Sequence, residues 1–208
     1  MRVVVCKGKD TVRRTVKALE VLSPEIPKEG AKILIKPNLV EPMPKDSGAV
    51  TRPEVVEGII RFFEDDRYEI IIGEGSAIYD TMKSFEAAGY LELKEKYDIK
   101  LVDLNSSGFV KVTLNGKLWK DVEISKLVKE VDYIVSAAVL KEHAFVVTLS
   151  MKNIMGVLKP KGEYPNKSYI HKENNPILWA QRMCDLCNKV KPDLAVIAVS
   201  YTHLRAHE

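Results

Sequence analysis

With 208 residues, 46% apolar content and a formal net charge of +3, the chain has enough material to bury one globular core. Its 29% charged residues are nearly balanced and contain no long basic run, so total charge excludes a phosphate-tracking nucleic-acid surface. Three cysteines cannot build a paired disulfide framework, the N-terminus meets charge too soon for a secretory leader, and no apolar stretch reaches the about 20 residues of a bilayer span; the chain is expected in the cytoplasm, on neither nucleic acid nor membrane.

In chain order, Arg2 to Cys6 reads as a buried strand, and Asp10 caps a helix carrying Val12, Val16, Leu19 and Leu22 at helical spacing. Pro24, Pro27 and Gly30 break the chain before a strand from Ala31 to Ile35, whose unbroken apolar character fits burial on both faces. After a loop rich in Pro, Gly and Asp, Thr51-Arg52-Pro53-Glu54 has capping-box spacing and predicts a helix carrying Val55, Val56, Ile59, Ile60 and Phe63. A strand follows at Tyr68 to Ile72, then a helix from Asp80 to Ala88 stopped by Gly89, and a strand from Ile99 to Leu104. Val110 to Leu114, Asn115-Gly116 and Lys117 to Trp119 read as a hairpin with a tight two-residue turn. Ser125 caps a short helix to Glu130, Tyr133 to Val139 is a strand, and Thr148 to Ile154 is a helix ending at Gly156. The polar, basic loop from Val157 to Asn174 is long enough to be a binding lid or ordered arm. Asn175 and Pro176 open an amphipathic helix to Val190, and Asp193 to Ala198 is the last strand.

This alternation predicts a three-layer α/β domain with a mainly parallel sheet, helices on both faces and a small β-hairpin insertion. The domain is expected to span residues 1–199 and to be truncated at its C-terminus. Ser200 to Glu208 read as a non-native tail resembling translated adapter sequence, and the i, i+4 pair His203 and His207 within it falls short of a metal site.

Polar clusters stand where apolar strands exit, the edge at which open α/β sheets keep their ligands. Lys36-Pro37-Asn38 places an ammonium where burial demands a partner, Glu74 or a ligand anion; the plain alternative is a salt-bridged lysine beside an Asx turn. Gly73-Glu74-Gly75-Ser76 offers small residues and backbone N–H groups, without the spacing of a dinucleotide fingerprint or a P-loop; a plain βα turn would look the same. Lys141 and His143 are two residues apart, so an extended backbone points both to one side, pairing a fixed charge with a proton carrier. Thr148, Lys152 and Asn153 fall on one short helix, with Thr148 and Lys152 sharing a face, an arrangement suited to carboxylate or phosphate or else an ordinary polar face. Cys184 and Cys187, at C-x-x-C spacing, read as part of a core stripe with Ile177 and Ala180 rather than as metal ligands. No metal site is expected.

Taken together, Lys36-Pro37-Asn38-Leu39-Val40, Thr51-x-Pro53, Gly73-Glu74-Gly75-Ser76, Leu140-Lys141-x-His143, Thr148-x-x-x-Lys152-Asn153-x-x-Gly156, His171 and Pro192-Asp193-Leu194-Ala195-Val196-Ile197 resemble the domain of unknown function family 362, over nearly all of the chain from Met1 to Ala198. The resemblance implies shared positions at Lys36, Asn38, Glu74, Lys141, His143, Thr148, Lys152, Asn153 and His171. It also implies iron–sulfur company, since many members carry a four-cysteine ferredoxin-like module that is absent from this sequence. In the family the last strand leads into Asp-Gly, where this chain has Ala198-Val199.

The function expected on these grounds is that of an enzyme acting on a small anionic metabolite. Lys36, Lys141 and Lys152 would neutralise a carboxylate or phosphate, His143 would serve as general acid/base, and Asn38, Glu74, Ser76, Thr148, Asn153 and His171 would line the ligand. The catalytic set is His143, Lys141 and Lys152, with no cofactor assigned. The alternatives are an accessory or electron-transfer protein docking to an iron–sulfur partner through its basic loop, and a metabolite-binding domain without chemistry.

Overall fold

The computed structural model describes residues 2–64, 66–77, 79–143, 146–161, 167–171 and 175–199, with His143, Val146, Thr148, Ser168 and His171 described by backbone alone. A five-stranded parallel sheet forms its centre, built from β1 (Lys32–Lys36), β2 (Glu69–Glu74), β3 (Ile99–Asp103), β6 (Tyr133–Val139) and β9 (Leu194–Ala198) in the order β3-β2-β1-β6-β9. Four of these strands lie within a residue or two of the apolar runs that predict them, and β6 coincides with its run. The order reverses between β1 and β6, so the carboxyl ends of these two adjacent strands flank a topological switch point.

Alternate residues of each strand feed two cores. Ile33, Ile35, Ile70, Ile72, Val135 and Ala137 pack with Leu19 of α1 (Thr11–Leu22), with α2 (Pro53–Phe63), and with Phe85 of α3 (Thr81–Ala87) and Leu93 of α4 (Leu91–Lys96). On the other face, Leu34 and Ile71 meet Val112 of β4 (Phe109–Thr113), Ile124 of β5 (Asp121–Ser125), Val128 of α5 (Leu127–Glu130), and Trp179, Met183 and Leu186 of α7 (Pro176–Cys187). Strands apolar on both faces require such double coverage, and the three-layer α/β architecture follows. The helix α4 lies outside the elements predicted from sequence.

Side-chain caps start three helices. Asp10 accepts from Arg13 N at 3.0 Å, Asp80 from Met82 N at 2.8 Å, and Asn175 from Ile177 N at 2.9 Å. The chain reverses after α3 at Gly89, whose φ of 81° suits a residue without Cβ.

Several expectations are corrected. Arg2 to Cys6 forms no strand: the segment has no sheet neighbour to bond, and Val3 and Val5 are 75% and 81% exposed. Thr51 does not cap α2, because its hydroxyl accepts from Asn38 N at 2.9 Å and donates to Ala137 O at 2.7 Å; it staples two loop and strand backbones instead. Ser125 lies in β5, and α5 begins after Lys126 without a side-chain cap. Ile177 is 76% exposed, and Ala180 and Cys184 are also exposed, so the buried stripe of α7 is Trp179, Met183 and Leu186; of two apolar stripes, the one holding the larger rings and chains packs inward.

The hairpin exists with a different second strand: β4 pairs antiparallel with Asp121–Ser125, not with Lys117 to Trp119. The Asp185 carboxylate on α7 captures that intervening segment, accepting from the N–H groups of Lys117, Leu118 and Trp119 at 3.1, 2.8 and 2.9 Å. Burial alone would raise the Asp185 carboxyl, but these donors and Gln181 outweigh it and hold it at about 2. Its stabilising contribution is therefore full above the unfolded value of about 4 and is lost as pH falls from there through about 2. Asp185→Asn is expected to cost about 1–3 kcal/mol at neutral pH and to flatten the stability profile in that acid window, as read by urea unfolding at stepped pH.

Candidate functional site

The candidate side chains stand at the carboxyl edge of the sheet because β1 and β2 end on charged residues. Lys36 closes β1 and Glu74 closes β2, and their side chains are 1% and 3% exposed and 2.6 Å apart. Bare charges at that depth would be strongly disfavoured, and the surrounding polar groups answer both. The Lys36 ammonium also donates to Pro37 O at 3.1 Å and Asn153 Oδ1 at 3.1 Å, while Glu74 accepts from Leu39 N at 2.8 Å and Gly75 N at 2.7 Å. Burial lowers the Lys36 pKa and Glu74 opposes the shift.

An ammonium has three donors, which makes its free capacity countable. Lys36 meets three acceptors and is saturated, so it shapes the field of the site without a donor to spare. Asn153 is committed likewise: its Nδ2 donates to Lys36 O at 2.8 Å and to Ser136 Oγ at 3.1 Å. Ser76, 1% exposed, donates its hydroxyl to Leu39 O at 2.7 Å and lies 3.1 Å from the Ser84 hydroxyl, holding the β2–α3 turn.

Lys141 begins the short ribbon of β7 (Lys141–His143) and β8 (Val146–Thr148), directly after β6. Its ammonium donates to Ala49 O at 2.6 Å and, among the described residues, keeps two donors unused. Lys152 sits in α6 (Ser150–Asn153) and, among the described residues, makes no hydrogen bond or ion pair. The helix starts at Ser150, so Thr148 belongs to β8 and does not share a helical face with Lys152; extension in the ribbon continues through residue 148 before the helix can begin. The side chains of His143, Thr148 and His171 lie outside the described residues; His143 is in β7 and His171 ends a 3₁₀ turn, Ser168–His171.

The loop after Val157 supplies a residue absent from the sequence-derived set. Lys167, 6% exposed, donates to Gly75 O at 2.8 Å and Gly156 O at 2.6 Å. The signal available was the basic character of that loop, which cannot say which of its lysines turns inward. The two glycine carbonyls can be shared because Gly75 and Gly156 press together: a Cβ on Gly75 would meet Gly156 O, and one on Gly156 would lie 2.6 Å from Glu74 Oε1.

Lys36 acts on each of the other three ammoniums, and Lys152 acts on Lys141. Burial pushes Lys141 down to about 8, with Lys152 and Lys36 lowering it further against Glu74 and Glu41. Lys152 is lowered by burial and by Lys36. Lys167 is pushed down to about 7 by burial, with Lys36 adding to the fall and Glu74 and Asp103 opposing it. Lys36, Lys141, Lys152, Lys167 and Glu74 thus share one electrostatic neighbourhood beside the switch point. Among the described residues, buried Asn38 adds an Oδ1 with no hydrogen-bond partner, and Ser150 an Oγ with none.

A separate groove of about 860 Å³ lies between the end of β3 and the start of α3, lined by Tyr79, Asp80, Met82, Lys83 and Val102 but not by Lys36, Lys141, Lys152 or Lys167. Among the described residues no group of three or more His, Cys, Asp or Glu is arranged to hold a metal ion, and no helix is long and apolar enough to cross a membrane.

The profile of the domain of unknown function (DUF362) matches residues 33–207. Over 173 residues the chain is 24% identical to the thylakoid-associated protein sll1697 of Synechocystis sp., covering 82% of this chain and 52% of that protein. The structure of the lactate racemase apoprotein from Thermoanaerobacterium thermosaccharolyticum superposes with a TM-score of 0.56 at 16% identity, covering 97% of this chain and 51% of that one. The chain spans about half the length of both proteins. At 16% identity the second likeness is one of fold. These likenesses lend no support to an iron–sulfur partner.

Proposed function

The chain belongs to the DUF362 family, and from that premise we propose that it binds a small anionic metabolite, a carboxylate or phosphate, between Lys141 and Lys152, and acts on it as an enzyme. One observation carries the reading: among the described residues Lys152 is a partly buried ammonium with three free donors, which feels the charge of Lys36 and whose own charge is felt by Lys141, itself with two. A protein gains no stability from that arrangement, and an anionic ligand would relieve it. Lys36 and Glu74 hold the scaffold, Asn153 orients Lys36, and Lys167 ties the long loop to it. His143, two residues beyond Lys141 in β7, is assigned as the general acid/base.

Opposed signs test the binding step. Lys152→Met is expected to stabilise the ligand-free protein by about 0.5–2 kcal/mol, while abolishing the rise in melting temperature that binding anions produce. A Lys152→Met variant that is less stable and still protected by anions would sink the proposal. A full screen of small carboxylates and phosphates that leaves the melting temperature of the unaltered chain unmoved would do the same. For the chemical step, His143→Ala is expected to abolish turnover of a metabolite found in that screen while leaving its binding and the fold intact.

The pH dependence has a definite sign. Lys141 loses its proton as pH rises through about 8, so anion protection should fade above that value. Without ligand the trend reverses. Lys141 and Lys167 have folded values of about 8 and about 7, below the unfolded lysine value, so between these limits the unfolded chain holds more protons. Their contribution to stability should therefore rise as pH climbs through that window, as measured by urea midpoints.

A further inference from the structure

The positive charge of the cluster exceeds what one negative charge can answer. Glu74 balances Lys36, with which it forms the closed ion pair. Lys141, Lys152 and Lys167 remain, and none of them makes a salt bridge among the described residues. Glu74, Glu41 and Asp103 act on Lys141 and Lys167 only through the field, and among the described residues no carboxylate acts on Lys152. Among the described residues five ammonium donors are free on Lys141 and Lys152 together, more than the two oxygens of one carboxylate suit.

Resting on the anion-binding reading above, we infer that the ligand is a doubly charged oxyanion, a phosphoryl group or a compact dicarboxylate, bridging Lys141 and Lys152. A monocarboxylate would leave one of these two partly desolvated ammoniums unanswered. A dianion answers both, while Lys167, pushed down to about 7 and held by its two hydrogen bonds to Gly75 O and Gly156 O, stays outside the count. Lysine suits this task as a strongly hydrated point charge on a flexible stem, able to follow a tetrahedral or a planar oxyanion alike.

The test is calorimetric titration of the full chain with inorganic phosphate, malonate and acetate, at matched ionic strength and about pH 7.5, where a phosphoryl group carries close to two charges. Phosphate, malonate or both should bind at least about tenfold more tightly than acetate. In Lys152→Gln, and separately in Lys141→Gln, that preference should shrink to about twofold or less, because one of the two bridged charges is gone. Binding of phosphate alone would assign a phosphoryl ligand, and of malonate alone a dicarboxylate. Acetate binding as tightly as both dianions would overturn the inference on valence and leave the anion site standing. Failure of all three probes to bind the unaltered chain would remove the anion site itself.

Discussion

Glu74→Ala is expected to destabilise the protein by about 3–5 kcal/mol. The substitution leaves the Lys36 ammonium buried without its counter-charge and strips the N–H groups of Leu39 and Gly75 of their acceptor. Lys36→Met should cost less, since Glu74 keeps those two backbone donors. The double variant Lys36→Met/Glu74→Gln should recover much of the loss, because both charges leave together. Guanidinium unfolding at constant m-value measures all three. A loss below about 1 kcal/mol for Glu74→Ala would mean that the pair is not closed off from water as described.

Gly156→Ala is the second large effect, and its cause is space. The added Cβ would lie 2.5 Å from Lys36 Cε and 2.6 Å from both Lys36 Nζ and Glu74 Oε1. Neither side chain can step aside, as both are buried and hydrogen-bonded on several sides. Overpacking here should cost about 1–3 kcal/mol and should also weaken anion binding, because the Lys167 anchor on Gly156 O moves with it. Gly75→Ala is expected to behave alike, since its Cβ would run into the Gly156 carbonyl, a backbone atom that cannot rotate away. Unfolding midpoints together with phosphate titration report both consequences.

These predictions rest on features of unequal visibility in the sequence. Ile33 to Ile35 and Ile70 to Ile72 are apolar without interruption, Tyr133 to Val139 is broken only by Ser136, and a run buried on both faces has few folds open to it. Asp10, Asp80 and Asn175 cap helices through bonds that span two or three residues, so local sequence was enough to locate them. The lysines after β1 and β6 were also legible, because a strand's carboxyl end is where open α/β sheets gather polar groups.

Where a bond spans tens of residues, local pattern misled. Thr51 has the sequence of a cap, yet the N–H of Asn38 and the carbonyl of Ala137 needed a partner and took its hydroxyl. Asn115-Gly116 looks like a two-residue turn, yet Asp185, arriving from α7, holds the next three amides and moves the second strand to Asp121–Ser125. The same holds for roles within the site. Lys36, Lys141 and Lys152 are one residue type at comparable places, and Lys167 sits among other lysines of a basic loop. Composition and periodicity therefore determined the parallel α/β scaffold and the edge at which charge collects. Tertiary structure alone decided which ammonium is saturated and which is free, because a buried donor's capacity depends on every acceptor the folded chain brings to it.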